Sequence, residues 1–223
     1  MSKYYSQCGQ DKFINEKLFK EKRNGVFLDI GANDGVTLSN TFFFEKELAW
    51  KGICFEPLLV AFNKLQAARS SININACASN EDKIDYFLSI TGYGEMLSGL
   101  KSNYDERHLQ RIEDTIKEFG GSKNEIEVQC FDINKILKQH HFTQIDFISI
   151  DTEGNELEIL KAIDFSQIHV KAITVENNYK STEMASFLST QNFEKIKVLD
   201  ADEVYVNKKD FGYIKRLKIK LGI

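Results

Sequence analysis

Proline is almost missing: Pro57 is the single one in 223 residues, so no Pro-rich linker divides the chain. That length suits one large α/β domain, or one domain carrying an insertion. Cysteine is sparse. Cys8, Cys54, Cys77 and Cys130 stand far apart with no CxxC pair, which argues against a zinc or disulfide framework and for reduced thiols. Basic excess is absent as well: the net charge is −4 and the pI about 5.7, so nothing global points to nucleic acid. No apolar run reaches the length of a membrane span, and the opening MSKYYSQCGQDKF has no signal-peptide core. The expectation is a cytoplasmic protein without a transmembrane segment.

What is present is an alternation of short apolar runs and helical segments. GVFLDI, KGICFEP, IDFISI and VKAITVE read as buried parallel strands, with helices over TLSNTFFFEKELAW, LLVAFNKLQAAR, DINKILKQ and the end of DTEGNELEILKAI. ININ into ACA reads as one further strand, and KIDYFLSI and EIEVQCF as two more. FEKIKVL and VYVNK form a closing antiparallel pair. The fold class expected is therefore α/β, with a doubly wound, mostly parallel sheet in a single domain spanning 1–223. Residues 1–24 read as an N-terminal helical cover, with Phe13, Ile14, Leu18 and Phe19 on one helix side. Residues 91–124 interrupt the rhythm and read as a helical lid insertion over the carboxyl edge of the sheet. The tail 211–223 is a basic helix with four Lys/Arg and no acidic residue. Two readings of it stay open: a membrane-surface or partner helix, or a terminal helix packing Ile214, Leu217 and Leu221 on the domain.

Carboxylates mark the ends of the apolar strands: Asp29, Glu56, Asp151 and Glu176. Ligands of open α/β sheets sit beyond those ends, where strand order reverses. The turn Gly31-Ala32-Asn33-Asp34-Gly35-Val36 lets backbone approach a ligand closely, but it is not the G-x-G-x-x-G of dinucleotide binding. It also offers acids where a phosphate would want bases. Glu56, about twenty residues further on, stands where a carboxylate accepts ribose hydroxyls. A nucleoside without pyrophosphate fits this pattern, and S-adenosylmethionine adds a sulfonium suited to acidic surroundings.

YSQCGQDKF, VFLDIGANDGVTLSNT, GICFEPLLVAFNKL, NACASNED, MLSGL, DFISIDTEGNELEIL and ITVEN, in that order, resemble the FkbM family of S-adenosylmethionine-dependent methyltransferases across most of the chain. The resemblance implies a class I methyltransferase, Rossmann-like fold. It places the cofactor on Asp29, Gly31, Asn33, Gly35, Glu56 and Pro57, the adenine near Ala76, Cys77 and Ser79, and Gln10 in a segment folded over the pocket. It further implies O-methylation of a sugar hydroxyl in glycan or capsule synthesis, on a carbohydrate or nucleotide-sugar acceptor, with Tyr93, Met96 and Ser98 in a lid over it. Fold does not guarantee turnover. A catalytically silent adaptor is one rival; a nicotinamide oxidoreductase is another, disfavoured by the missing glycine.

A sugar hydroxyl is about as weak an acid as water, pKa about 15.7, so attack on a methyl group calls for a base or a metal. Asp151, Glu153 and His108 are the candidate bases. Asp151, Glu176 and Asn177 are the candidate ligands for Mg2+, a hard cation that takes few carboxylates and keeps waters.

Overall fold

The computed structural model describes residues 4–104 and 106–222. Its main sheet has seven strands: β1 (Val26–Ile30), β2 (Lys51–Phe55), β3 (Ile72–Ile74), β8 (Gln144–Ile150), β9 (His169–Glu176), β10 (Phe193–Leu199) and β11 (Asp202–Asn207), in the order β10-β11-β9-β8-β1-β2-β3. All pairs are parallel except β9/β11 and β10/β11. This is the class I methyltransferase arrangement. The chain winds outward from β1 through β2 to β3, then returns to β8 on the other side of β1, so the switch point lies between the ends of β1 and β8.

Alternation along the strands builds two cores. Leu28 and Ile30 of β1 join Ile148 and Ile150 of β8 under helices α5 (Ile133–Gln139), α6 (Glu156–Ala162) and α7 (Glu183–Thr190). Phe27 and Phe147, the residues just before these pairs, face the other way into Phe43, Phe44 and Leu48 of α2 (Phe42–Leu48). The phenylalanine run is thus core: Phe43 and Phe44 are fully buried. Ile14 and Leu18 complete that layer from the N-terminal helix, α1 (Gln10–Phe13), which widens into a π-helical stretch over Ile14–Phe19. Leu65 of α3 (Leu59–Ala68) closes it. Burying such a side chain is worth roughly 1.5–3 kcal/mol, so these alternations decide which way each strand faces.

One strand expectation changes. ININ and ACA are not one strand: β3 stays in the main sheet, while β4 (Cys77–Ser79) leaves it for a second, four-stranded sheet of order β4-β7-β5-β6. Its other strands are β5 (Lys83–Ile90), β6 (Gly99–Leu100) and β7 (Lys123–Asp132). The break falls at Asn75, whose Nδ2 donates to the carbonyls of Glu56 and Pro57 at 2.9 and 3.0 Å, tying the chain to the end of β2. The stretch 91–124 holds a 3₁₀ helix (Gly92–Leu97), β6 and the amphipathic α4 (Glu106–Phe119).

The terminal helix α8 (Tyr213–Leu221) packs through Arg216 and Ile219, which are buried. Ile214, Leu217 and Leu221, the expected inward residues, are 70%, 41% and 64% exposed. An ion pair sets the rotation: Arg216 Nε donates to Glu194 Oε2 at 2.6 Å, and Arg216 also bonds the Phe211 carbonyl. Among the described residues, no helix is long and apolar enough to cross a membrane.

Candidate active site

Two cavities open at the carboxyl rim of the main sheet, and they share Gly31, Asn33, Met96, Asp151 and Glu153. The first is a slot between the sheets. Glu56, Pro57 and Leu58 line one side, Ala76 and Cys77 the next, and Phe87 and Leu100 of the second sheet the far wall. Glu56 is buried and accepts from the backbone N–H of Asn33 (2.9 Å) and of Leu58 (2.8 Å). Burial pushes its carboxyl up to about 7, against the lowering effect of those two N–H groups; the Asp29 charge adds to the rise. A carboxylate so held, beside an apolar slot, suits a ribose with its base beyond.

Gly35 and Ser79 do not belong to this slot. Gly35 faces α3, where an added Cβ would fall 2.6 Å from Leu65 Cδ1, and its carbonyl accepts from Arg69. Ser79 opens with Ala78 toward a separate surface cleft; of those two neighbours, Ala78 also reaches the slot. Ser79 shares the face of Cys77 on β4 but stands two residues further along the strand, where it lines that cleft instead of the slot.

The second cavity is larger, about 530 Å³, and polar. Asp29 lines it from below, where Thr41 Oγ1 donates to it at 2.5 Å and Arg69 stands 3.9 Å off. Arg69 is wholly buried, pairs with Glu45 at 2.6 Å and also donates to Thr41. Desolvation raises the Asp29 carboxyl, and the guanidinium works against it. Gln10 belongs to this cavity rather than the slot: its Oε1 accepts from Cys8 N–H (2.8 Å) and its amide bonds Asp202 at the start of β11. Asp11 caps no helix; it reaches back to hold the N-terminal strap, accepting from Tyr5 N–H (2.6 Å) and Ser6 Oγ (2.5 Å). Gln7 and Cys8 of the strap therefore lie over the cavity. Tyr93 and Met96 line it too, whereas Ser98 faces the slot.

At the junction of the cavities sit Asp151, Glu153 and Glu176, with carboxylate oxygens within 4.8 Å of one another. Asp151 follows β8, its N–H bonded to the Ile30 carbonyl at 3.0 Å. Glu153 occupies a left-handed turn position, φ 57°, an unfavourable state for a non-glycine residue. The turn survives because Glu156 gathers it: Thr152 N–H, Thr152 Oγ1 and Gly154 N–H all donate to the Glu156 carboxylate at 2.9–3.0 Å. Desolvation and the mutual repulsion of the acids push Glu153 and Glu176 each up to about 8 and raise Asp151 as well.

Asn177 is not among the ligand candidates. Its side chain clamps the following loop, accepting from Ser181 N–H (2.8 Å) and donating to the Ser181 carbonyl (2.9 Å). Glu153 takes its place in the cluster. His108 is likewise displaced from the chemistry. It is 1% exposed and lines neither cavity. Its Nε2 donates to the Leu97 carbonyl (3.1 Å), its Nδ1 accepts from Tyr179 Oη (3.2 Å), and its ring packs at a tilt against Tyr104, centroids 4.3 Å apart. It bolts α4 to the 3₁₀ turn and to the loop after β9.

Asp200, Asp202, Arg111, Phe87 and Leu100 also line the cavities, and sequence reasoning did not single them out. Only Glu156 carried a readable signal, a carboxylate four residues after Thr152 at a helix start, the neighbourhood of a capping box.

The sheet order and the cavities at its switch point define a class I methyltransferase fold. Residues 29–208 match the model of the methyltransferase FkbM domain, and the chain belongs to that family. It is 25% identical over 160 residues to Methyltransferase sdnD of Sordaria araneosa, covering 63% of this chain and 61% of that protein. Among solved structures, it is similar to Methyltransferase FkbM from Methylobacillus flagellatus KT, at 13% identity and TM-score 0.49, covering 91% of this chain and 48% of that one. Precorrin-6y C5,15-methyltransferase from Geobacter metallireducens GS-15 aligns at 11% identity and TM-score 0.37, covering 88% and 84%. The chain thus spans about three fifths of the curated relative and half of the FkbM structure.

Proposed function

We propose that the protein transfers a methyl group from S-adenosylmethionine to a sugar hydroxyl, in the synthesis of a glycan or capsule. One observation carries this reading: a nucleoside-shaped slot ending on Glu56 opens at Asp151 and Glu153 into a polar cavity of about 530 Å³. Adenosine in the slot directs the sulfonium to that junction, and an acceptor in the cavity meets it from the other side. The hydrogen-bonding side chains of the cavity, Gln7, Thr37, Ser39 and Asn40 among them, suit a polyhydroxyl acceptor. Buried free thiols at Cys54, Cys77 and Cys130 support a reducing, cytoplasmic setting.

The chain's own groups supply the chemistry. Glu56 holds the ribose diol. The sulfonium is favoured by Asp29 and Asp151. The hydroxyl proton passes to a carboxylate of the junction: an acid raised to about 8, as Glu153 is, is a stronger base than an ordinary carboxylate by about 5 kcal/mol of proton affinity. The cluster also has the donor set a hard cation such as Mg2+ takes, in which case the ion would lower the pKa of the hydroxyl.

Calorimetric titration with S-adenosylhomocysteine, once with magnesium and once with EDTA, tests the reading. Micromolar binding is expected in both. Binding in neither overturns the enzyme reading and favours an adaptor that keeps the fold.

A further inference from the structure

Helix α8 turns its apolar side away from the protein. Tyr213 is 69% exposed and joins Ile214, Leu217 and Leu221 on the outer face, whereas Arg216 and Ile219 point inward. At about 100° per residue, the four exposed apolar side chains fall within one arc of about 100°. Lys220 stands about 20° beyond one edge of that arc and Lys218 about 40° beyond the other. Both lysines are exposed. The helix carries Lys215, Arg216, Lys218 and Lys220 without an acid, in a chain whose net charge is −4. Neighbouring groups leave that charge in excess. One acid, Glu194, is shared by Arg216 and Lys220. Lys215 donates to the Leu18 carbonyl (3.1 Å), where burial and then the charge of Lys20 hold it below its ordinary pKa. An exposed apolar stripe thus lies inside a positive rim, and a contiguous apolar patch of that kind marks an interaction surface.

We infer that α8 docks the protein on an anionic lipid surface, with Tyr213, Ile214, Leu217 and Leu221 in the headgroup layer and the flanking lysines on lipid phosphates. A helix of nine residues lies on such a surface and does not span it. Apolar burial and attraction to anionic headgroups act together there, and both need the stripe and the rim on the same side. The Tyr213 ring, apolar with a polar tip, suits the boundary between headgroups and water. A second copy of the chain is the poorer occupant, because two such faces meeting about a twofold axis set lysines against lysines. The placement also leaves both cavities clear. Glu194, which holds the helix, pairs with Val206, whereas Leu199 and Asp202 at the other end of that hairpin line the second cavity. The protein would be held from the end of the sheet opposite its cavities.

The test is flotation of the full chain with vesicles of phosphatidylcholine alone, and with vesicles in which about a third of the lipid is phosphatidylglycerol. Affinity for the mixed vesicles should exceed that for the neutral ones by about tenfold or more. It should fall about fivefold or more between about 50 mM and about 500 mM salt. The triple variant Ile214→Ser, Leu217→Ser, Leu221→Ser should lose about tenfold, and Lys218→Glu about threefold. Both should keep the wild-type melting temperature, since these side chains are exposed. Ile214→Trp reads the helix itself: its emission should shift to the blue on the mixed vesicles. Trp50, the single tryptophan of the wild type, is buried and gives a constant background. Equal binding to neutral vesicles, or a triple variant that floats like the wild type, overturns the inference. So does an oligomer by light scattering that the triple variant turns into a monomer, which gives the face to a second copy. Absence of flotation with either vesicle also overturns it and leaves the face to a protein partner.

Discussion

A Cβ built on Gly31 would lie 1.8 Å from the carbonyl oxygen of Asp151. The loop after β1 therefore touches the loop after β8 with no room for any side chain, and Gly31 also sits at φ +87°, where other residues are strained. This contact is the floor on which both cavities meet.

Gly31→Ala should cost about 3 kcal/mol or more, the sum of overpacking and left-handed strain. Because any relief moves Asp151, the loss should be larger in cofactor affinity than in other surface properties. Denaturant unfolding paired with S-adenosylhomocysteine titration checks it; a variant of normal stability and affinity would show that the two loops are not in contact.

Glu56→Ala should weaken S-adenosylhomocysteine binding by roughly 1.5–3 kcal/mol, the worth of hydrogen bonds to a charged group. The wild type should also bind more weakly as pH falls from 8 to 6. With its carboxyl raised to about 7 by burial, Glu56 gains a proton over that range and loses its charge. Diol binding favours the ionised form, so binding near pH 7 should release a proton, seen as a dependence of the calorimetric heat on buffer ionisation enthalpy. Heat independent of buffer would remove Glu56 from the ribose.

Arg69→Met should destabilise the fold by about 3–5 kcal/mol, because it strands Asp29 and Glu45 as buried carboxylates without their partner. Burial pushes the Glu45 carboxyl up, but the Arg69 charge and the bonds from Arg69 and Ser70 outweigh it and hold it below its ordinary value. A depressed acid stabilises the fold above its unfolded pKa of about 4.3, and that contribution fades as pH falls through the lower folded value. The wild type should therefore lose stability steeply below about pH 4 and the variant less so, measured by thermal melts against pH.

Asp151→Asn should leave S-adenosylhomocysteine affinity within a fewfold of the wild type while abolishing methyl transfer. In the wild type, turnover should climb between about pH 7 and 9, as Glu153 and Glu176, each pushed up to about 8 by desolvation and by the neighbouring acids, lose their protons. A flat profile over that range would exclude both as bases. Full turnover by Asp151→Asn would clear Asp151 of any part in the chemistry.

The main sheet was legible because both its faces are covered, so its strands appear as unbroken apolar runs that end in acids. Asp29, Glu56, Asp151 and Glu176 were found on that ground alone. The second sheet was not legible: β3 and β4 are separated by two residues, and only the bonds of Asn75 to the end of β2 show that the chain changes sheet there. α8 misled for a related reason, since an apolar spacing does not reveal that Arg216 will turn inward to Glu194. His108 looked available on a charged helix, and its burial follows from Tyr179 and Leu97, distant partners no local pattern announces. Asp202 reached the cavity by a strand that arrives last and runs antiparallel.

Cys77, Phe87 and Leu100 come from one sheet, and Ile30 and Phe55 from the other; all of them face the same slot. A nucleoside seated there would act as a rivet through two plates. The second sheet and the lid it carries would then stiffen when the slot fills, although none of their backbone hydrogen bonds changes. Amide exchange along β5 and β7 should slow on titration with S-adenosylhomocysteine, and the melting temperature should climb with ligand concentration as mass action requires.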